Sequence, residues 1–270
     1  MIDRKLTVIV IIMAILTFGL FFGCEPALAI SNGVIDGDRH PNVGALVIEL
    51  KGTNIKCAKC SGVLINPNTF LTSGHCFSPA AIESCNFLVT FDSQFNPISG
   101  EFIKVKEFFI DPDFGHDKGD LHDMAVVILP EGSTEGIKPA ELPAVNLLGE
   151  MNQKHGLFDN NFINVGYGVE PEWKGGPLRI LPFDGYRRMS ISPFMALTKS
   201  WLFLLMNNDA TDQGGICYGD SGGPHFLEEN QNLVVAITSL GDCACRSLSY
   251  NYRLDTPSAR EFLSQFVTLP

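Results

Sequence analysis

Ser221 stands in the segment GGICYGDSGGPHF, residues 214–226, between Asp220 and two glycines and three positions before Pro224. A serine hydroxyl is a weak nucleophile near neutral pH. It needs a base to take its proton and donors to meet the charge that develops on an attacked carbonyl. A base is on offer far upstream, in SGVLINPNTFLTSGHCF, where His75 adjoins Cys76. A catalytic imidazole gives one nitrogen to the serine and turns the other to a buried carboxylate. LHDMAVVIL supplies that carboxylate as Asp123, which opens a strongly apolar strand where an unpaired charge would be costly. The competing reading of Asp123 is a strand-edge aspartate facing water.

GDSGG also fits the Gly-x-Ser-x-Gly elbow of α/β-hydrolases, which needs a helix straight after the serine and a histidine later in the chain. Pro224 opposes that helix, and only His225 follows Ser221, so the base must come from upstream.

The order His75, Asp123, Ser221, in the contexts TSGHC, HDMAVVIL and GDSGGP, resembles the chymotrypsin-like (trypsin-fold) serine proteases. The likeness runs from Ile30 to the terminal helix, and CYGDSGGP is its most specific part. It implies an all-β fold of two six-stranded antiparallel β-barrels and a C-terminal helix, with the triad at the junction. His75 would act as general base then acid, Asp123 as its orienter and Ser221 as nucleophile. The backbone N–H groups of Gly219 and Ser221 would form the oxyanion hole, where a side chain at 219 would resist the required backbone. Cys60–Cys76 and Cys217–Cys245 match family disulfides. Cys57–Cys85 is then a guess that leaves Cys243 unpaired.

The resemblance also places a specificity pocket at Gly215, Ile216 and Gly241. Glycine at its base carries no charge to meet Lys or Arg, which argues for an uncharged side chain before the scissile bond. A freed Ile30 would pair its ammonium with Asp220 to order the oxyanion loop, ISNG standing where the family has a sequence like IVGG. The implied activity is a secreted serine endopeptidase without metal or cofactor, acting on proteins or peptides and open to protein inhibitors. The alternative is a non-catalytic binding or scaffold protein that keeps the fold. Two departures concern the surroundings of the site: Ser73-Gly74 stands where two alanines are usual, and Leu240 where tryptophan is common.

Other chemistry-bearing clusters read as structural. CAKC, residues 57–60, lacks a second Cys-x-x-Cys or a βαβ setting, so neither zinc nor redox chemistry is expected of it. DPDFGHDKGDLHD offers His116, Asp117, Asp120 and His122 without the spacing of a calcium loop, and reads as a solvated acidic loop leading to Asp123. His40, His155 and His225 have no constellation around them.

The elements that must position these groups are short. ALVIEL, FLVTF, FIKVKEFFI, AVVIL, FINVGYG, WLFLLM and VVAITS are rich in β-branched and aromatic residues and separated by Gly, Pro, Asn and Asp, the pattern of an all-β chain. WLFLLM alone is also compatible with a buried helical turn. At the end, Thr256 and Pro257 open a helix expected over 256–267 with Ala259, Phe262, Leu263 and Phe266 on one face. The halves are expected at about 30–155 and 156–255, parted near the Gly/Asn/His-rich stretch 149–161.

Residues 1–29 read as an export signal: Arg4 and Lys5 precede an apolar run that ends in Ala27-Leu28-Ala29. An uncleaved anchor and lipidation at Cys24 are the alternatives. Removal leaves 241 residues, enough for one large core, with no stable membrane insertion and a secreted, extracellular or periplasmic destination. Seven cysteines then remain in a disulfide-permitting compartment. The net charge of −11 survives, because the leader holds two acids and two bases. An acidic chain with no basic cluster argues against nucleic acid as partner.

Overall fold

The computed structural model describes residues 30–117, 119–168, 171–172, 179–180, 183–207 and 211–270. The leader and Cys24 lie outside them. The chain opens with β1 (Val34–Ile35) and builds its first sheet from β2 (Val43–Leu50), β3 (Lys56–Asn66), β4 (Thr69–Thr72), β5 (Cys85–Thr90), β6 (Ile103–Lys104), β7 (Glu107–Ile110) and β8 (Ala125–Ile128). These strands pair antiparallel in the order β6-β5-β2-β3-β4-β8-β7.

The second half holds β9 (Asn161–Gly166), a small pair of β10 (Pro171–Glu172) and β11 (Arg179–Ile180), then β12 (Arg188–Leu197), β13 (Trp201–Leu205), β14 (Pro224–Leu227), β15 (Asn230–Gly241) and β16 (Leu248–Arg253). Here β9, β12, β13, β16, β15 and β14 close on themselves through the β12–β9 and β14–β9 ladders, giving a six-stranded barrel with β1 added along β12. The all-β reading therefore holds, with one difference. The second half is a closed six-stranded barrel; the first, among the described residues, is a half-barrel of seven strands whose two end strands, β6 and β7, follow each other in the chain. Only Val105 and Lys106 part β6 from β7, and Val105 N donates to Phe87 O of β5 while Lys106 N donates to Ile128 O of β8, so one bent segment runs from one end of the sheet to the other.

WLFLLM resolves as strand, since β13 lies between β12 and β16 with Leu202 and Leu204 turned into the core. Two short helices were not anticipated: α1 (Pro79–Ser84), capped by Ser78 Oγ accepting from Ala81 N, and α2 (Leu147–Gln153) in the stretch read as a separator. The C-terminal helix α3 (Pro257–Leu263) starts as expected, with Thr256 Oγ1 accepting from Ala259 N, and stops short of residue 267.

The largest apolar cluster belongs to neither half. Val43, Val63, Leu71, Met124 and Val126 of the first sheet pack with Ile163, Val165, Phe226, Val234, Ile237 and Tyr252 of the barrel, and Ala259, Phe262 and Leu263 of α3 cover the joint. Burial of that many aliphatic side chains, each worth about 1.5–3 kcal/mol of transfer free energy, makes the seam a rigid place to build on.

Candidate functional site

His75 sits in a one-turn 3₁₀ helix, Gly74–Cys76, directly after β4. The Cys60–Cys76 disulfide ties this turn to β3, and a side chain at Gly74 would press on Met124 O at 3.1 Å. The turn is thus fixed against both β3 and the start of β8. Asp123 precedes β8 and is almost fully buried. It accepts hydrogen bonds from His75 N at 2.9 Å (Oδ1) and from the Ser239 hydroxyl (Oδ2), and His75 Nδ1 lies 2.8 Å from Oδ2. The strand-edge reading of Asp123 is excluded by this burial. Its charge is answered by three protein donors, as burial demands. The Nδ1 edge of the ring faces the carboxylate, and His75 lines a cleft of about 200 Å³ that Ser221 also lines.

Ser221 arrives from the second half on a turn locked against the first. Ser61 N donates to Ser221 O at 2.9 Å and Gly222 N to Thr238 O at 2.7 Å. Gly222 has φ +78, and a Cβ there would meet Thr72 Oγ1 at 2.2 Å, so no other residue fits. Ser73, one of the departures from the family pattern, donates its hydroxyl to Thr238 O at 2.7 Å and so adds a bond across the seam. Gly219 has φ +93, and neither its N–H nor that of Ser221 donates to any described group.

Of the pocket residues read from sequence, Ile216 and Gly241 line the cleft, with Cys217, Tyr218, Thr238, Ser239, Leu240, Asp242 and Cys245. Gly215 does not: it lies behind the wall, bridged to Ser31 and pressed by Met206, whose Cγ would be 2.3 Å from a Cβ at that position. Ile216 reaches across instead, its Cδ1 2.7 Å from where a Gly241 Cβ would be. The space beside Gly241 is therefore taken by the apolar Ile216 side chain. Sequence reasoning missed Met206 and Ser239; a buried hydroxyl at the end of VVAITS was the available signal for the latter.

Asp220 is fully buried, accepting from Gly168 N and Cys217 N at 2.8 and 2.9 Å, with no cation beside it among the described residues. Burial pushes its pKa up to about 7 against the pull of those two amides. Ile30 is also fully buried, and the next residue, Ser31, exchanges backbone hydrogen bonds with Gly215. Cys217–Cys245 is formed. Cys57 is disulfide-bonded while Cys85 and Cys243 are free thiols, which overturns the Cys57–Cys85 pairing. Cys85 begins β5 and pairs in register with Leu50, whereas Cys57 pairs with Ile48, two residues along β2, and is kept apart from it by that intervening strand.

The loop before Asp123 turns inward more than an acidic solvated loop would. Asp120 is buried and accepts from Tyr252 OH and Ser258 Oγ, and His122 lies between Asp111 and Asp120. Burial raises the pKa of Asp111, while for Asp120 the bonds from Tyr252 and Ser258 outweigh burial and lower it.

Against known proteins, the Trypsin family matches residues 39–157, a span that includes His75 and Asp123 and ends before Ser221. The solved structure of HL collagenase superposes with a TM-score of 0.60 at 19% identity, over 87% of this chain and 97% of that one. The chain has the trypsin fold and resembles the chymotrypsin-like serine proteases. Human heparin binding protein shares the fold too: a mutant of it carrying two substitutions superposes with a TM-score of 0.62 at 18% identity, over 87% of this chain and 96% of that one. Among curated relatives, the collagenase of Hypoderma lineatum is 25% identical over 192 residues, 70% of this trypsin-fold chain and 68% of the relative. Ovochymase of Halocynthia roretzi is 24% identical over 181 residues, 64% of this chain, a stretch that spans only 11% of ovochymase. No helix among the described residues is long and apolar enough to cross a membrane.

Proposed function

We propose that this chain is an exported serine endopeptidase working through His75, Asp123 and Ser221. The observation that carries the reading is the His75–Asp123 couple, held by a fully satisfied buried carboxylate, opening onto the same cleft as Ser221. With Nδ1 committed to Asp123, Nε2 is the nitrogen left to take the proton of Ser221 Oγ as it attacks a peptide carbonyl. The N–H groups of Gly219 and Ser221 receive the oxyanion, a donor in that role being worth about 2.7–4 kcal/mol. His75 then returns the proton to the leaving amine, the acyl group stays on Ser221, and water activated by the same imidazole releases it.

Ile216 fills the pocket with apolar surface, and Asp242, the carboxylate of the cleft lining, already accepts from the backbone N–H groups of Ala244, Arg246 and Ser247, so small or medium uncharged side chains fit before the scissile bond. Activation follows from Asp220: a buried carboxylate lacking a cation is the place for the Ile30 ammonium once cleavage after Ala29 frees it. Protein or peptide substrates and protein inhibitors are the expected partners.

The test is covalent labelling by a serine-directed fluorophosphonate. Labelling at Ser221, lost in Ser221→Ala and nearly lost in His75→Ala, supports the enzyme. Labelling that survives Ser221→Ala refutes the assignment, and a folded, Ile30-started protein that neither labels nor cleaves is the scaffold alternative.

A further inference from the structure

Ser61 lies on β3 next to Cys60, fully buried. Its hydroxyl donates to Gly219 O at 3.0 Å and accepts from Tyr167 N at 2.8 Å, joining residues 158 positions apart. A hydroxyl is the small group able to do both at once. We propose that Ser61 is a positioning residue for the oxyanion amides, a role that rests on the serine peptidase reading above and adds to it.

The reason lies in the peptide that joins the two donors. The Gly219 N–H and the Ser221 N–H belong to the peptides on either side of the 219–220 peptide, so its orientation sets how the two amides point relative to each other. That peptide is held at both ends. Ser61 Oγ binds its carbonyl oxygen, and its N–H, on Asp220, donates to Cys217 O at 3.1 Å. Gly219, at φ +93, lacks the Cβ that would otherwise confine the backbone, so the restraint has to come from outside the loop.

Ser61 is itself well anchored. Its N–H donates to Ser221 O and its carbonyl accepts from Thr72 Oγ1 at 2.7 Å. Tyr167, the donor to its hydroxyl, is buried, with its own OH donating to Asp92 O at 2.7 Å and accepting from the Arg187 guanidinium at 3.2 Å. The first half of the chain thereby sets the shape of a loop that belongs to the second.

Ser61→Ala orphans Gly219 O and Tyr167 N and frees the 219–220 peptide to rotate. The measurement is steady-state kinetics normalised to active sites titrated by burst, with binding of a peptidyl boronic acid, which forms the tetrahedral adduct. Binding of the uncleaved peptide is measured separately on the Ser221→Ala background. Expected is a fall of about 10-fold or more in kcat per titrated site, below the 10²–10³ lost with an oxyanion donor itself. KM and peptide affinity should stay within about two-fold, and boronate affinity should fall in step with kcat/KM. A purely structural serine would lower the titratable fraction and the melting temperature while leaving kcat per site unchanged, and that result overturns the proposal. Ser61→Gly removes the same hydroxyl without placing a methyl between the two orphaned groups, and gives the same reading if the alanine variant is not recovered folded. A parent enzyme that neither labels nor turns over sinks the peptidase reading itself; an active parent with an unaffected Ser61→Ala sinks only the role of Ser61.

Discussion

Asp220→Asn should act with opposite sign before and after Ile30 is freed. In a chain extended ahead of Ile30, Asp220 is buried without a cation and its pKa stands at about 7 against an ordinary 3.8. A carboxyl raised in this way binds more protons folded than unfolded between those two values. Stability is therefore complete below about pH 4, falls as pH rises, and levels off above about 7. At about 1.4 kcal/mol per pKa unit, keeping the ionised carboxylate in place costs about 4 kcal/mol at pH 8. Asparagine resembles the protonated acid, with one acceptor and one donor end, and cannot ionise. The assay is urea denaturation followed by tryptophan fluorescence, on the Ser221→Ala background so that nothing is digested, with and without Asp220→Asn. The asparagine variant should gain about 4 kcal/mol on its parent between pH 4 and pH 8. Once Ile30 is the N-terminus, its ammonium replaces that cost with a pair, and the same substitution should cost activity instead. A difference between variant and parent that is identical at pH 4 and pH 8 in the extended chain refutes the reasoning.

Three further outcomes are expected. N-terminal sequencing of the secreted protein should find Ile30, and one extra residue ahead of it should cut activity severely while leaving the thermal transition in place; pairing raises the pKa of the Ile30 amine above its usual 7.7–8.0, so activity is retained below that range and lost as pH climbs through the folded value. Ile216→Ala deepens the cleft floor, so a peptide library read by mass spectrometry should shift toward larger apolar side chains before the scissile bond, and a profile dominated by Arg or Lys in the parent would refute the uncharged preference. Replacing Cys60 and Cys76 together by serine opens a 16-residue loop, which should cost about 3 kcal/mol in urea denaturation and lower kcat by loosening the turn that carries His75.

Much of this was legible in the sequence because local chemistry constrains it locally. The period of the apolar runs gives the strands, Thr256-Pro257 gives the start of α3, and the contexts of His75, Asp123 and Ser221 carry the resemblance. What was not legible depends on pairing between distant segments. Nothing in FIKVKEFFI says that the run bends in the middle, its first part pairing with β5 and its second with β8. Cys85 looks as available to Cys57 as any cysteine until the ladders place β2 between them. Gly215 reads as a pocket base by position along the chain, yet Met206 and Ser31 take the space on either side of it. Ser239 and Ser61 are ordinary strand serines in sequence; only the fold aims one at Asp123 and the other at Gly219.

The hydrogen bonds that cross the seam also bear on how the chain is made. Ser61, Ser73 and Asp123 belong to the part synthesised first; their partners Gly219, Thr238 and Ser239 emerge from the ribosome more than a hundred residues later. Domains fold largely in the order they are synthesised, so the N-terminal sheet waits with an imidazole and a carboxylate but no nucleophile. On the peptidase reading proposed above, a chain cut short before the second half would therefore lack Ser221 altogether, and the three groups would come together only when the two halves meet.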